Sequence, residues 1–500
     1  MKKINKLAFL LMCLGISLCL VSCGNKEQDE SDTTKNQVTK DYDLLIYNTD
    51  KEIAESFEKM CDDYTSRTGI ITKAITTPED EEANTHLGSY MNSGEAPDIY
   101  TVNSMQELNK WQSAGAVLDF SNATETDFKE IVNKIPVSIR LSSNTVDNFG
   151  LPCTLKGYGY VVDPKMISSL FGADKYRYVL EDLKKCTYEE FESFINALEF
   201  YIESGSIYEF YLNDNSYKFL DRRSGLAENL NAIFAFPAGT PSYTGFNILN
   251  SALAYRFNSA AEAHVASDET INSLQNIFSS FARALSLLTS SVSTKNGGMS
   301  RGMEIVNSVT NSPTQALKSF VNGQALFLVA DNSIYDSMFL LDSSLANRVS
   351  LLPIKIPETI GEDVASNLED GTYRQSIAVS VPMYFVINAK SDEKHQKLAQ
   401  DFLVWFKTSE LAQKYIMQEF KFIPYDLKES SAIDNQLSRK MVEYVSSKLF
   451  LPAVCNGLPE FMPEELGKAI IDKYYILPSW YLDEYELISQ EAIGMWLRMR

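Results

Sequence analysis

The sequence predicts an α/β fold built on a parallel sheet, and three observations predict it. From residue 42, strand, helix, strand, helix and strand signals alternate within about 60 residues, which requires right-handed crossovers. The first helix carries its apolar residues as a stripe at spacings of three and four, Ile53, Phe57, Met60, Cys61 and Tyr64. Far along the chain, Ser312-Pro313 opens another helix that stops at Gly323 before a fully apolar strand, 325–329.

Each element follows from local chemistry. Strand 42–47 is apolar through Leu44, Leu45 and Ile46, and 70–76 is rich in β-branched residues. Gly69 stands where a left-handed helix cap is needed. A polar helix spans about 78–91, and 99–102 is the third strand. Phe149-Gly150-Leu151-Pro152 leads into an extended run at 158–162. Thr187-Tyr188-Glu189-Glu190 is a capping box opening a helix with Phe191, Phe194, Ile195, Leu198 and Ile202 on one face. Residues 204–246, rich in Tyr, Asn, Gly and Ser, read as long loops, and 246–292 as mostly helical. Further strands are expected at 351–356 and at 376–387, the latter interrupted by Pro382, and Ser391 is expected to cap a helix bearing Leu398, Phe402, Leu403 and Phe406.

The first 22 residues stand apart. Lys2, Lys3 and Lys6 precede a short apolar stretch, 7–21, below the roughly 20 residues a spanning helix needs, and this reads as a secretory signal. It ends in Leu20-Val21-Ser22-Cys23, followed by Gly24, which resembles the bacterial lipobox whose cysteine is lipidated. Residues 24–41 are polar and bury too little to order themselves; as a flexible tether they would span roughly 23 Å root-mean-square.

The chain has 45 basic and 66 acidic residues; removing the leader with its three lysines leaves 42 against 66, a formal −24. Such acidity argues against nucleic acid and against adhesion of the protein body to anionic lipid. Cys61, Cys153, Cys186 and Cys455 are scattered without CxxC spacing, so no zinc site is expected. One or two disulfides and free buried thiols both remain open for them. His86, His264 and His395 show no HExxH or paired spacing and are expected to be solvated. No nucleophile elbow or phosphate loop appears, and no cofactor or metal is implied.

Several stretches in order carry a family likeness: Phe57 to Thr72, Ser93-Gly94-Glu95-Ala96-Pro97-Asp98-Ile99, Trp111 to Phe120, Leu151-Pro152 through Lys165, Phe320-Val321-Asn322-Gly323-Gln324-Ala325-Leu326-Phe327, and Ala399 to Tyr415. Together, over roughly 42–430, they resemble the extracellular solute-binding proteins of carbohydrate ABC importers. The aromatic tail after about 430 departs from the pattern. The resemblance implies a two-lobe, type II periplasmic-binding-protein-like fold with three crossings, near 153–158, 327–331 and 380–384. Lobe one would be 42–153 plus 331–380, and lobe two 158–327 plus 384–500. It further implies a monomer, lipid-anchored on the extracytoplasmic face of the membrane, that passes a small solute, an oligosaccharide by analogy, to ABC permease subunits without transforming it.

Ligands of open α/β sheets bind beyond the carboxyl ends of strands. That points to Asn48, Thr49 and Asp50, to Asn103, Ser104 and Gln106, and to Asp331, Asn332 and Tyr335. Sugars need amides or carboxylates for hydroxyl pairs and aromatic faces for C–H patches. Tyr158, Phe236, Tyr243, Tyr335, Tyr384 and Trp480 are candidates for the second, and Lys156 for a hydroxyl partner. Asn48-Thr49-Asp50 and Asn103-Ser104 equally suit helix caps, and any one tyrosine is more often packing than ligand contact. A surface glycan-processing enzyme, which needs two carboxylates across one cleft, and a same-fold sensor or binder of peptides or other solutes stay open as alternatives.

Overall fold

A computed structural model describes residues 41–123, 125–144, 146–290, 292–293, 299–300, 312–358, 372–428, 433–473 and 482–500. The opening follows the predicted alternation: β1 (Leu44–Asn48), α1 (Ala54–Thr68), β2 (Thr72–Thr76), α2 (Ala83–Met91), β3 (Ile99–Val102) and α3 (Met105–Ser113). β1 lies between β2 and β3 and is parallel to both. Phe57, Met60, Cys61 and Tyr64 are the buried stripe of α1, and Gly69 closes it at φ 75°, a conformation that costs glycine nothing.

β4 (Leu151–Pro152) ends the first sheet, in the order β2-β1-β3-β14-β4, with β14 (Tyr384–Ile387) antiparallel to β3 and β4. The second sheet is built around β5 (Lys156–Val162). Beyond it come the small hairpin β6 (Phe210–Leu212) and β7 (Asn215–Tyr217), then β8 (Ala232–Ala235), β9 (Val292–Ser293), β10 (Met299–Ser300), β11 (Ala325–Asp331), β12 (Ser350–Leu352) and β13 (Ala378–Ser380). The order is β10-β9-β8-β11-β5-β12, with β13 also on β5. β8 and β11 are parallel, while β5 is antiparallel to β11, β12 and β13.

Strand pairing divides the later chain differently from the expected boundaries. β12 and β13 belong with β5 in the second sheet, and β14 belongs with β3 in the first. No crossing occurs at 327–331, because β11 continues beside β5 until Asp331 stands opposite Tyr158. The chain passes between sheets at 153–155 and at 381–383, and after the first lobe's last helices, Gln436–Ser446 packs against β12 of the second sheet, Tyr444 donating to the Leu351 carbonyl. The first lobe is therefore 42–152 with 384 to about 425, and the second is 156–380 with the C-terminal helices.

Other differences are local. The expected loop region 204–246 contains the hairpin and β8, whose residues are all buried. Asp392, not Ser391, caps helix Glu393–Thr408, because Ser391 Oγ donates instead to Asp98 at 2.6 Å. The Thr187–Glu190 capping box forms as read. Cys61, Cys153, Cys186 and Cys455 are buried free thiols. The signal, Cys23 and the tether lie outside the described residues. Among the described residues no helix is long and apolar enough to cross a membrane.

Side-chain alternation on β5 and β11 feeds two cores. Tyr160, Val162, Phe327 and Val329 point into one with Phe191, Phe194 and Phe234. Val161, Leu328 and Ala330 point the other way, into a core that also holds Ile46, Val102 and Phe385 of the first sheet. The lobes thus share apolar contacts beside the crossings. Helix Gln436–Ser446 packs there, and a Cβ on Gly157 would lie 2.0 Å from Met441 Sδ.

Candidate functional site

The carboxyl ends of β1 and β3 and the crossing strands gather the polar groups of interest. Asn48 is fully buried; its Nδ2 donates to the Asp50 carbonyl (2.7 Å) and Thr76 Oγ1 (3.3 Å), and its Oδ1 accepts from Asp50 N. It builds the turn and, fully buried, is withdrawn from any ligand. Thr49 meets Thr101 Oγ1 through both its N–H and its hydroxyl. Asp50 accepts from Glu52 N at 3.0 Å, capping a helical turn. Burial raises the Asp50 carboxyl above its ordinary range, against the Glu52 bond and nearby Lys156, which favour its charge.

Ser104 caps α3 by accepting from Glu107 N, and Glu107 Oε2 accepts from Asn103 N at 2.7 Å. Burial pushes the Glu107 carboxyl up to about 7, outweighing that bond, with Glu460 and Glu82 adding repulsion. Asn103 and Gln106 remain exposed, as does Lys156. On the second lobe, Asp331 accepts from Ser333 N, and the Tyr158 and Tyr243 rings lie 6.5 Å apart. Tyr243, partly buried, feels the Asp331 charge.

Five aromatic or amide candidates are absorbed by packing. Asn332 is 5% exposed; its Oδ1 accepts from Gly157 N (2.8 Å) and its Nδ2 donates to Ser438, which staples the crossing. Tyr384 lies within the first sheet and donates to the Ile139 carbonyl, and Tyr335 donates to Asn347 Oδ1. Phe236 belongs to the second lobe's core. Tyr158, 2% exposed, is buried in that core too. Trp480 lies outside the described residues.

A cavity of about 290 Å³ opens between the lobes. Gln106 and Asn109 of α3 form one wall; His264, Gly457, Leu458, Pro459, Trp496, Met499 and Arg500 form the rest. Of the residues singled out in the sequence, Gln106 alone lines it. Each histidine is partly buried and has a side-chain partner. His264 Nε2 meets Asn109 Nδ2 at 3.2 Å, His86 Nδ1 meets the Tyr47 hydroxyl at 2.8 Å, and His395 Nδ1 meets Asp392 at 2.7 Å. Burial lowers the His264 pKa and so favours the neutral ring. Trp496 packs on Phe257 and Phe278, and Arg500 is held by the Ala266 carbonyl and Asp268. Carboxamides and an imidazole ring whose neutral form burial favours suit hydroxyl pairs around this space, while the Trp496 indole, 2% exposed, belongs mainly to the core behind it. The tail residues could not be found by motif, since nothing in a sequence brings 496 beside 106. Among the described residues no cluster of three His, Cys, Asp or Glu side chains could hold a metal.

Two α/β lobes joined by crossing segments, with a polar and aromatic cavity between them, define the fold of a type II extracellular solute-binding protein, and comparison with solved structures confirms that fold. RafE from Streptococcus pneumoniae aligns over 91% of this chain and 97% of its own, with TM-score 0.55 and 14% identity. A family 1 extracellular solute-binding protein from Bifidobacterium longum subsp. infantis gives TM-score 0.59 at 14% identity over 91% and 98%. The bacterial solute receptor AcbH, described as preferring β-D-galactopyranose, gives 0.59 at 12% over 91% and 97%. By sequence, no family model matches and no curated protein matches.

Proposed function

We propose that this chain is a lipid-anchored, extracytoplasmic solute-binding protein that captures a carbohydrate for an ABC importer and releases it unchanged. The observation that carries this reading is the interlobe cavity, where Gln106 and Asn109 of one lobe face His264 and Trp496 of the other. Neighbours of the same fold were solved with raffinose and with maltotetraose, and another is a chitin oligosaccharide binding protein, which supports sugar as the solute class. Glu107, whose carboxyl pKa burial raises, accepts from Asn103 N, is 6% exposed and does not line the cavity, which disfavours a role as acid toward a glycosidic oxygen.

A thermal-shift screen of galactose, raffinose and linear malto-, chito- and xylo-oligosaccharides tests the reading. Saturable stabilisation by at least one sugar, recovered intact afterwards, is expected; release of a cleaved product would contradict it. The anchor is tested separately in the cell. Cys23→Ala is expected to move the protein from the membrane fraction to the soluble extracytoplasmic fraction, and an unchanged membrane fraction would refute lipidation at Cys23.

A further inference from the structure

The tail that the sequence left unaligned runs between the lobes. Residues 451–458 are buried throughout. On the second lobe the segment is held mainly by backbone: Ile377 N donates to the Leu449 carbonyl and Leu451 N to the Ile377 carbonyl. Asn250 accepts from Cys455 N and donates to the Pro452 carbonyl at 2.9 Å. Gly457 lies so close to Ala260 that an added Cβ would sit 1.9 Å from its carbonyl oxygen.

The opposite edge of the segment holds the first lobe. Ala453 N donates to the Ser138 carbonyl at 3.0 Å. Asn456 Nδ2 donates to the carbonyls of Asn103 (3.0 Å) and Val381 (3.1 Å), and Glu460 N donates to Gln106 Oε1. The next residues, Gly457, Leu458 and Pro459, are wall of the cavity. The segment therefore bridges the two lobes where it borders the cavity of about 290 Å³, with Gln106 of the first lobe and Pro459 of the segment both in its lining. That volume is at the low end of the ~300–1,000 Å³ of small-molecule sites and corresponds to on the order of ten waters.

We propose that segment 449–460 is a specificity-determining wall that limits recognition to one or two sugar rings, further rings projecting into solvent; this rests on the carbohydrate-binding reading. Because the wall is tied on both sides, the site cannot lengthen unless the segment detaches. The test is calorimetric titration of linear malto-, cello-, chito- and xylo-oligosaccharides of one to six units. In any series that binds, affinity should rise to the second unit and then change by less than about twofold per added ring. Asn456→Ala, with its fold checked by circular dichroism and thermal melting, should lose the plateau, with the longest members gaining at least about fivefold over the disaccharide. Affinity that climbs steadily from two to six units in the wild type overturns the wall while leaving sugar binding intact. A folded Asn456→Ala protein with an unchanged plateau overturns the segment's role. Should that variant fail to fold, the wild-type series decides alone, and binding of no saccharide removes the wall together with the reading beneath it.

Discussion

Glu107 shows how a single position serves the fold and the site at once. Its carboxylate receives Asn103 N, which fixes the loop that presents Gln106, yet burial lifts its pKa from the ordinary 4.5 to about 7. Between those values the folded protein holds a proton that the unfolded chain releases, so stability falls as pH rises from about 4.5 through 7. The charged form above pH 7 costs on the order of 3 kcal/mol relative to the protonated one. Glu107→Gln keeps an acceptor for Asn103 and removes the ionisation. The wild type should therefore gain stability over this variant as pH is lowered from 8 to 5. Parallel thermal melts across that range check it, and curves separated by a constant amount would contradict it. Sequence reading reached this region, since Ser104 was legible as a cap and Gln106 as a ligand candidate. Whether Asn48 faced a ligand or its own backbone was not legible, because the same amide suits both, and two hydrogen bonds within its turn with one to Thr76 of β2 decided it.

At the scale of elements, what was legible was what periodicity and caps dictate: the alternation from β1 to α3, Gly69 and the Thr187 capping box. β8 was missed because Ala232–Ala235 is a short apolar run in a polar region, too brief to show a period. The 376–387 stretch is broken between two sheets at Pro382, where a crossing was expected; the lobe boundaries shifted because β11 runs on beside β5 through 327–331 instead of crossing there. Tight strand packing also depends on glycine where sequence alone gives no warning. A Cβ on Gly159 would stand 2.2 Å from the Leu352 carbonyl, backbone that cannot swing aside as a side chain would. Gly159→Ala should force β12 away from β5 and cost about 3 kcal/mol. Urea denaturation measures this, and a loss below about 1 kcal/mol would show that the strands yield more easily than this packing implies.

The whole molecule is two α/β lobes whose apolar interiors meet beside the crossings, with the C-terminal segment laid between them. Hinge closure is the usual motion of this architecture. Here, opening about the hinge would have to break the bonds from Asn456 and Glu460 to the first lobe. The fold class was readable because ordered motifs survive at low identity. The cavity was not, because its walls come from positions as far apart as 106, 264, 457 and 496, brought together only by the tail. Calorimetry of Gln106→Ala against wild type, using the best sugar from the screen, tests most directly that solute is held between the lobes. Gln106 is exposed on α3, so its loss, which also removes the acceptor of Glu460 N, should lower the melting temperature only modestly while weakening affinity at least tenfold. Undiminished affinity in that variant would place the bound sugar somewhere other than this cavity.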